Sequence, residues 1–113
     1  MKTQAQDFIL LKELDTFGEV HIQKQVFTNI AINAISDVKN AQLLDRRGQK
    51  ELVSKILEND LIIDLSIKVL YGQNVNEITM SVQEKIAQNI EFMTGFKCDC
   101  INIKVDGFYF NAQ

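Results

Sequence analysis

The order of hydrophobic patterns predicts an α+β fold: a two-layer α/β sandwich in βαββαβ-like order, with both helices on one face of a mixed sheet. Three observations predict it. Leu61, Ile63, Leu65, Ile67, Val69 and Tyr71 share one strand face while Asp64, Ser66 and Lys68 take the other, the period of a sheet packed on one side and wet on the other. Residues 24–38 and 75–93 each repeat apolar side chains at three- and four-residue steps, as amphipathic helices do. A second apolar strand follows and ends in Phe108, Tyr109 and Phe110.

Taken in chain order, residues 1–17 read as a flexible or docking lead-in, in which Phe8 to Leu11 and Leu14 suit a short strand or helix. Residues 18–110 form the single domain. Gly18 opens a short strand, with Val20 and Ile22 inward and His21 outward. Val26, Phe27, Ile30, Ala31, Ala34, Ile35 and Val38 then line the first helix, whose start lacks a capping Ser, Thr, Asp or Asn. A brief strand at Gln42–Leu44 and a turn at Asp45–Gly48 come next. Residues 51–57 pair with the long strand as a hairpin through Asn59-Asp60. Asn74 caps the second helix, Glu77 stands three residues on, and Val75, Ile78, Val82, Ile86, Ile90 and Met93 form its inner stripe up to Gly95. In the last strand Phe96 and Cys98 have one parity and Ile101, Ile103 and Val105 the other, which predicts a β-bulge near Asp99-Cys100. The expected core comprises Val26, Ile30, Ala34, Leu65, Ile67, Val82, Ile86, Ile90, Ile101 and Ile103.

Composition bounds the function. The chain has 113 residues, 46% of them hydrophobic, enough for one core without staples. Its formal charge of -3 disfavours a partner recognised chiefly by a phosphate backbone. Arg46, Arg47 and Lys50 are the nearest thing to a basic cluster, and Asp45 and Glu51 flank them. Cys98 and Cys100 are the only cysteines and are poorly spaced for a disulfide, which suits a reducing, cytoplasmic setting. No export signal opens the chain, and no apolar run approaches the roughly twenty residues that span a bilayer.

Three blocks resemble the alkaline-shock protein family of Gram-positive and related bacteria. Gly18-Glu19-Val20-His21-Ile22 with Val26, Ile30-Ala31 and Ala34 is similar to the family's opening strand and Ile-Ala-rich helix. Asp64-Leu65-Ser66-Ile67-Lys68-Val69-Leu70-Tyr71-Gly72 resembles its D-L-x-hydrophobic-x-V-x-Y-G block. Val82-Gln83, Ile90, Met93-Thr94-Gly95 and Val105-Asp106-Gly107 resemble its second helix, M-T-G corner and closing strand. The resemblance implies a small cytoplasmic protein without enzymatic activity, linked to envelope stress and homeostasis. It also implies assemblies that reach the membrane periphery through an anchor or regulatory protein partner. It brings no catalytic, cofactor or metal residues.

The residues themselves agree with that reading. His21 is the only histidine, and a metal site would need Cys98, Cys100 and a fourth group to converge on it, whereas the strand phase separates His21 from Cys98. Asp60, Asp64, Asp99 and Asp106 are explained by turns and a wet face. The five glycines stand singly at 18, 48, 72, 95 and 107, so no phosphate loop exists and no small-molecule substrate or cofactor is implied. The alternative is a small RNA- or nucleic-acid-binding domain, with Lys68 and Lys104 on adjacent outer positions and Tyr109 or Phe110 as stacking rings. It lacks both a Gly-x-x-Gly clamp and interleaved basic and aromatic residues, and retention on heparin at low salt would revive it. The leading expectation is a self-associating interaction module, at least a dimer. Ile62 and Leu70, on the polar face of the long strand, and Phe108 and Phe110, at its far end, are the expected interface.

Overall fold

The computed structural model describes residues 5–14 and 18–111. It is a mixed α+β fold with two helices and a multi-strand sheet. The elements are β1 (Ala5–Gln6), β2 (Phe8–Leu14), β3 (Gly18–Gln23), α1 (Lys24–Ser36), β4 (Ala41–Leu43), β5 (Asp45–Arg46), β6 (Gln49–Lys50), β7 (Leu52–Leu57), β8 (Asp60–Leu70), α2 (Val75–Thr94) and β9 (Cys100–Tyr109).

β8 is the axis of the five-stranded sheet. One of its edges takes β7 antiparallel against residues 60–65 and β4 antiparallel against residues 67–69; the other takes β9 in parallel. β1 adds to the outer edge of β7. The connection from β8 through α2 to β9 is the helical crossover that parallel neighbours require. The alternation predicted for β8 holds: Leu61, Ile63, Leu65, Ile67 and Val69 are buried, and the residues between them are not. Those five share one apolar cluster with Phe27, Ile30, Ala31, Ala34 and Ile35 of α1 and with Ile78, Val82, Ile86 and Ile90 of α2. Thr28 donates to the buried Ser54 hydroxyl at 2.8 Å, which fixes α1 to β7 without leaving a polar group unsatisfied.

The helix ends follow local chemistry. Asn74 caps α2 through its side-chain oxygen, which accepts from the Glu77 amide at 3.0 Å. Gly95 closes α2 at φ 77°, a left-handed conformation glycine adopts without penalty. α1 has no side-chain cap; instead Lys24 N–H donates to the Asp7 carbonyl at 2.7 Å, which explains why its start carries no local signal.

The β7–β8 hairpin turns at Glu58-Asn59, both at positive φ, one residue earlier than Asn59-Asp60. Asn59 then clips the N-terminal segment. Its side-chain oxygen accepts from Leu10 N–H at 2.9 Å, its amide donates to the Leu10 carbonyl at 3.2 Å, and its N–H donates to Gln6 Oε1 at 2.7 Å. Ile9 beside this clip is fully buried. The rest of the predicted lead-in, residues 1–4 and 15–17, lies outside the described residues.

Several expectations are corrected. Val26 is exposed, because it sits about 100° round α1 from Phe27 and off the buried stripe. Val20 is exposed because β3 pairs with β2 in a separate two-stranded sheet. Met93 is exposed: the stripe of α2 advances in four-residue steps to Ile90 and on to the half-buried Thr94, so Met93 falls on its trailing side. Tyr71 is exposed: β8 ends at Leu70 and Gly72, at φ 94°, turns the chain, so the core-side position its parity assigns is left uncovered. The bulge is at Asp106. Ile67 pairs with Val105 and Lys68 with Gly107, while residues 96–99 form a loop that turns Cys98 inward with no register break.

Candidate interaction surface

The face of the sheet away from the core is organised by ion pairs. In β8 the even-numbered positions project there, and the registers set Asp64 between Val53 of β7 and Asn102 of β9. Asn102 donates its amide to Asp64 Oδ1 at 2.8 Å, and Lys55 Nζ lies 3.0 Å from Oδ2. These two contacts, the Asn102 amide first, hold the Asp64 carboxyl below the ordinary carboxylate value against the opposing effect of partial burial. At the bulge, Arg46 reaches from the small β5–β6 hairpin to Asp106 Oδ2 and to Glu51 Oε1, each at 2.7 Å. The bulged residue is thus the point to which this hairpin is tied.

The far end of the sheet is aromatic. Tyr71, Phe108 and Phe110 are 62%, 48% and 71% exposed, yet their rings touch. Tyr71 meets Phe108 edge-on at 5.7 Å between centroids and Phe110 at 5.0 Å and a 30° tilt. The backbone holds them in place: Tyr71 N–H donates to the Tyr109 carbonyl at 2.9 Å, zipping the strand ends together. Three rings in contact but open to water form a continuous apolar patch, unlike isolated surface residues.

The four residues predicted as an interface are therefore distributed over the sheet. Phe108 and Phe110 join one cluster, and its third ring, Tyr71, was missed because its parity pointed inward. Leu70 is half-buried next to this cluster, in register with Tyr109, while Ile62 is half-buried opposite Cys100, eight residues back along β8. At the rise of a strand that separates Ile62 from Leu70 by about 26 Å. Val53 on the outer face and Phe92 on α2, 53% and 91% exposed, are further apolar surface residues that periodicity does not single out.

The other candidates resolve into local structure. His21 stacks on Phe8 at 4.3 Å and lies 3.3 Å from Glu19. Cys98 is buried, its thiol donating weakly to the Leu61 carbonyl at 3.6 Å, and burial pushes its pKa up to about 11. Cys98 and Cys100 are both free thiols. Among the described residues no group of three or more His, Cys, Asp or Glu could hold a metal ion, and no helix is long and apolar enough to cross a membrane.

A family model for alkaline-shock protein 23, described by a cell envelope-related function, matches residues 40–110. The chain belongs to the alkaline-shock protein family. The matched span runs from the residue before β4 to the end of the aromatic cluster, so the whole of β8, α2 and β9 is family structure. The family's description names a cellular role and no reaction. No curated protein and no solved structure matches the chain significantly.

Proposed function

We propose that the protein is a non-enzymatic interaction or scaffold module of the cell-envelope stress response, acting through self-association and through protein partners. In this reading it works in the cytoplasm and reaches the membrane periphery through an anchor or regulatory protein. The layers that present its surface are those of a two-layer sandwich with both helices over one face of the sheet, a reading supported by the single apolar cluster both helices share with β8. Family membership supports the envelope role. The observation that carries the interaction reading is the exposed Tyr71–Phe108–Phe110 cluster, within the family span and held at the sheet's end by backbone pairing.

Sedimentation velocity across a wide concentration range tests it. The wild-type chain is expected to populate a dimer or larger species. The Phe108→Ser/Phe110→Ser variant, with an unchanged circular dichroism spectrum, is expected to lose the larger ones. A wild-type chain that stays monomeric at every concentration overturns the reading.

A further inference from the structure

The hydrogen bonds of β8 determine which backbone groups of β9 face outward. Ser66 and Leu70 spend their backbone groups on the β7–β4 side: Ser66 N–H donates to Glu51, the Ser66 carbonyl accepts from Leu44, and Leu70 N–H donates to Asn40. The odd-numbered residues of β8 therefore bond toward β9, as Tyr71 N–H does to the Tyr109 carbonyl. In parallel register, with Leu65 beside Ile103, those bonds go to Asn102 and Lys104. Ile101, Ile103 and Val105 consequently turn their own N–H and C=O groups away from β8. Among the described residues β9 pairs with no other strand. One of these outward groups already has a substitute partner, since Gln83 of α2 donates its side-chain amide to the Ile101 carbonyl at 3.1 Å.

We infer that this edge pairs antiparallel with the same edge of a second copy, about a two-fold axis at Ile103. The inference rests on the self-association proposed above and gives it a contact distinct from the aromatic cluster. Self-complementarity argues for a second copy over an unrelated strand. Centring on Ile103 places Ile103 against itself and Ile101 against Val105, so all three outward-facing residues find outward-facing counterparts. Their side chains, on the core side of the sheet, are only half-buried in the single chain, unlike Ile63, Leu65 and Ile67 next to them. Apolar cross-strand pairs would cover them. On the outer face Lys104 falls opposite Asn102 of the other copy, whose amide is bound to Asp64. Each Lys104 ammonium is thereby directed toward a carboxylate. A centre at Val105 would instead oppose Ile103 to Gly107, whose backbone phase the Asp106 bulge has reversed, so the bulge selects the register. The aromatic clusters lie outboard of the paired segment at both ends of the joined sheet, free for further contacts.

Ile103→Pro removes an outward N–H that no described strand uses, at a position where an edge strand accepts proline. It deletes both hydrogen bonds at the dyad, so the dimer dissociation constant is expected to rise at least about tenfold. Lys104→Glu, which leaves the core untouched, is expected to weaken the dimer and restore a salt-dependent repulsion. Amide exchange of Ile103 and Val105 in the wild-type chain is expected to slow as concentration rises. If the wild type associates while Lys104→Glu and a folded Ile103→Pro associate equally well, with fast exchange at Ile103, the edge assignment is wrong and self-association stands. A wild-type monomer sinks both.

Discussion

Alkaline titration of Cys98 gives a direct measure of how tightly the β8–β9 end of the core is closed. The thiol is 6% exposed and its pKa rises from 9.0 to about 11, chiefly because burial disfavours the thiolate. A folded-state value above the unfolded one means the unfolded chain loses its proton first. The stability associated with the neutral thiol is therefore complete below pH 9 and is lost progressively as pH rises through 11. The rise from 9.0 to about 11 corresponds to about 1.4 kcal/mol lost by pH 10 and about 2.7 kcal/mol well above pH 11. Cys98→Ala removes the titrating group. Its cavity cost is an offset that does not change with pH. Urea unfolding followed by circular dichroism from pH 7 to 10.5 should show the wild type losing stability faster than the variant above pH 9. Parallel decline of the two chains would refute the closed environment assigned to Cys98.

At the other pH extreme, Asp64 is held below 3.8 by Asn102 and Lys55, so its contribution is present above that value and lost as pH falls through the lowered folded-state pKa. Asp64→Asn should flatten the acid limb of a stability profile below about pH 4, by a modest amount because the carboxylate is partly exposed. Ile86, fully buried at the middle of α2, should cost about 2–5 kcal/mol when changed to Ala, read as a fall in the urea midpoint with an unchanged slope. Asn74→Ala should cost about 1 kcal/mol through loss of the cap on Glu77 N–H, and Asn74→Ser should recover most of it in the same assay.

What was legible in the chain is what short-range chemistry specifies. The alternation of β8 and the cap-to-glycine span of α2 depend on neighbours within a few residues and stand where the patterns place them, and the β7–β8 hairpin forms with its turn one residue earlier than Asn59-Asp60. The partners of the N-terminal strands were not legible. The pairing of β1 with β7 and the clip of Asn59 on Leu10 join groups about fifty residues apart, and no periodicity encodes them. The bulge shows the same limit. The parity conflict between Cys98 and Ile101 was real, but a loop at residues 96–99 resolves it, while the extra residue went to Asp106 where Arg46 could tie it down. Tyr71 was misplaced because parity specifies a face and says nothing about how far the helices extend over it.

The aromatic end of the sheet is laid out differently from a nucleic-acid platform. A sheet that stacks bases needs rings on an open face amid unpaired basic side chains, so that the phosphate backbone finds counter-charge beside each ring. Here two basic residues of the outer face are committed, Lys55 to Asp64 and Arg46 to both Glu51 and Asp106, while Lys68 and Lys104 stand exposed. The three rings, meanwhile, gather at the strand ends and touch one another instead of alternating with lysines. Pairing of Lys55 and Arg46 with carboxylates and clustering of the rings both depart from the alternation of ring and free cation that a base-stacking sheet uses. With a chain that is acidic overall, the two effects act in the same direction.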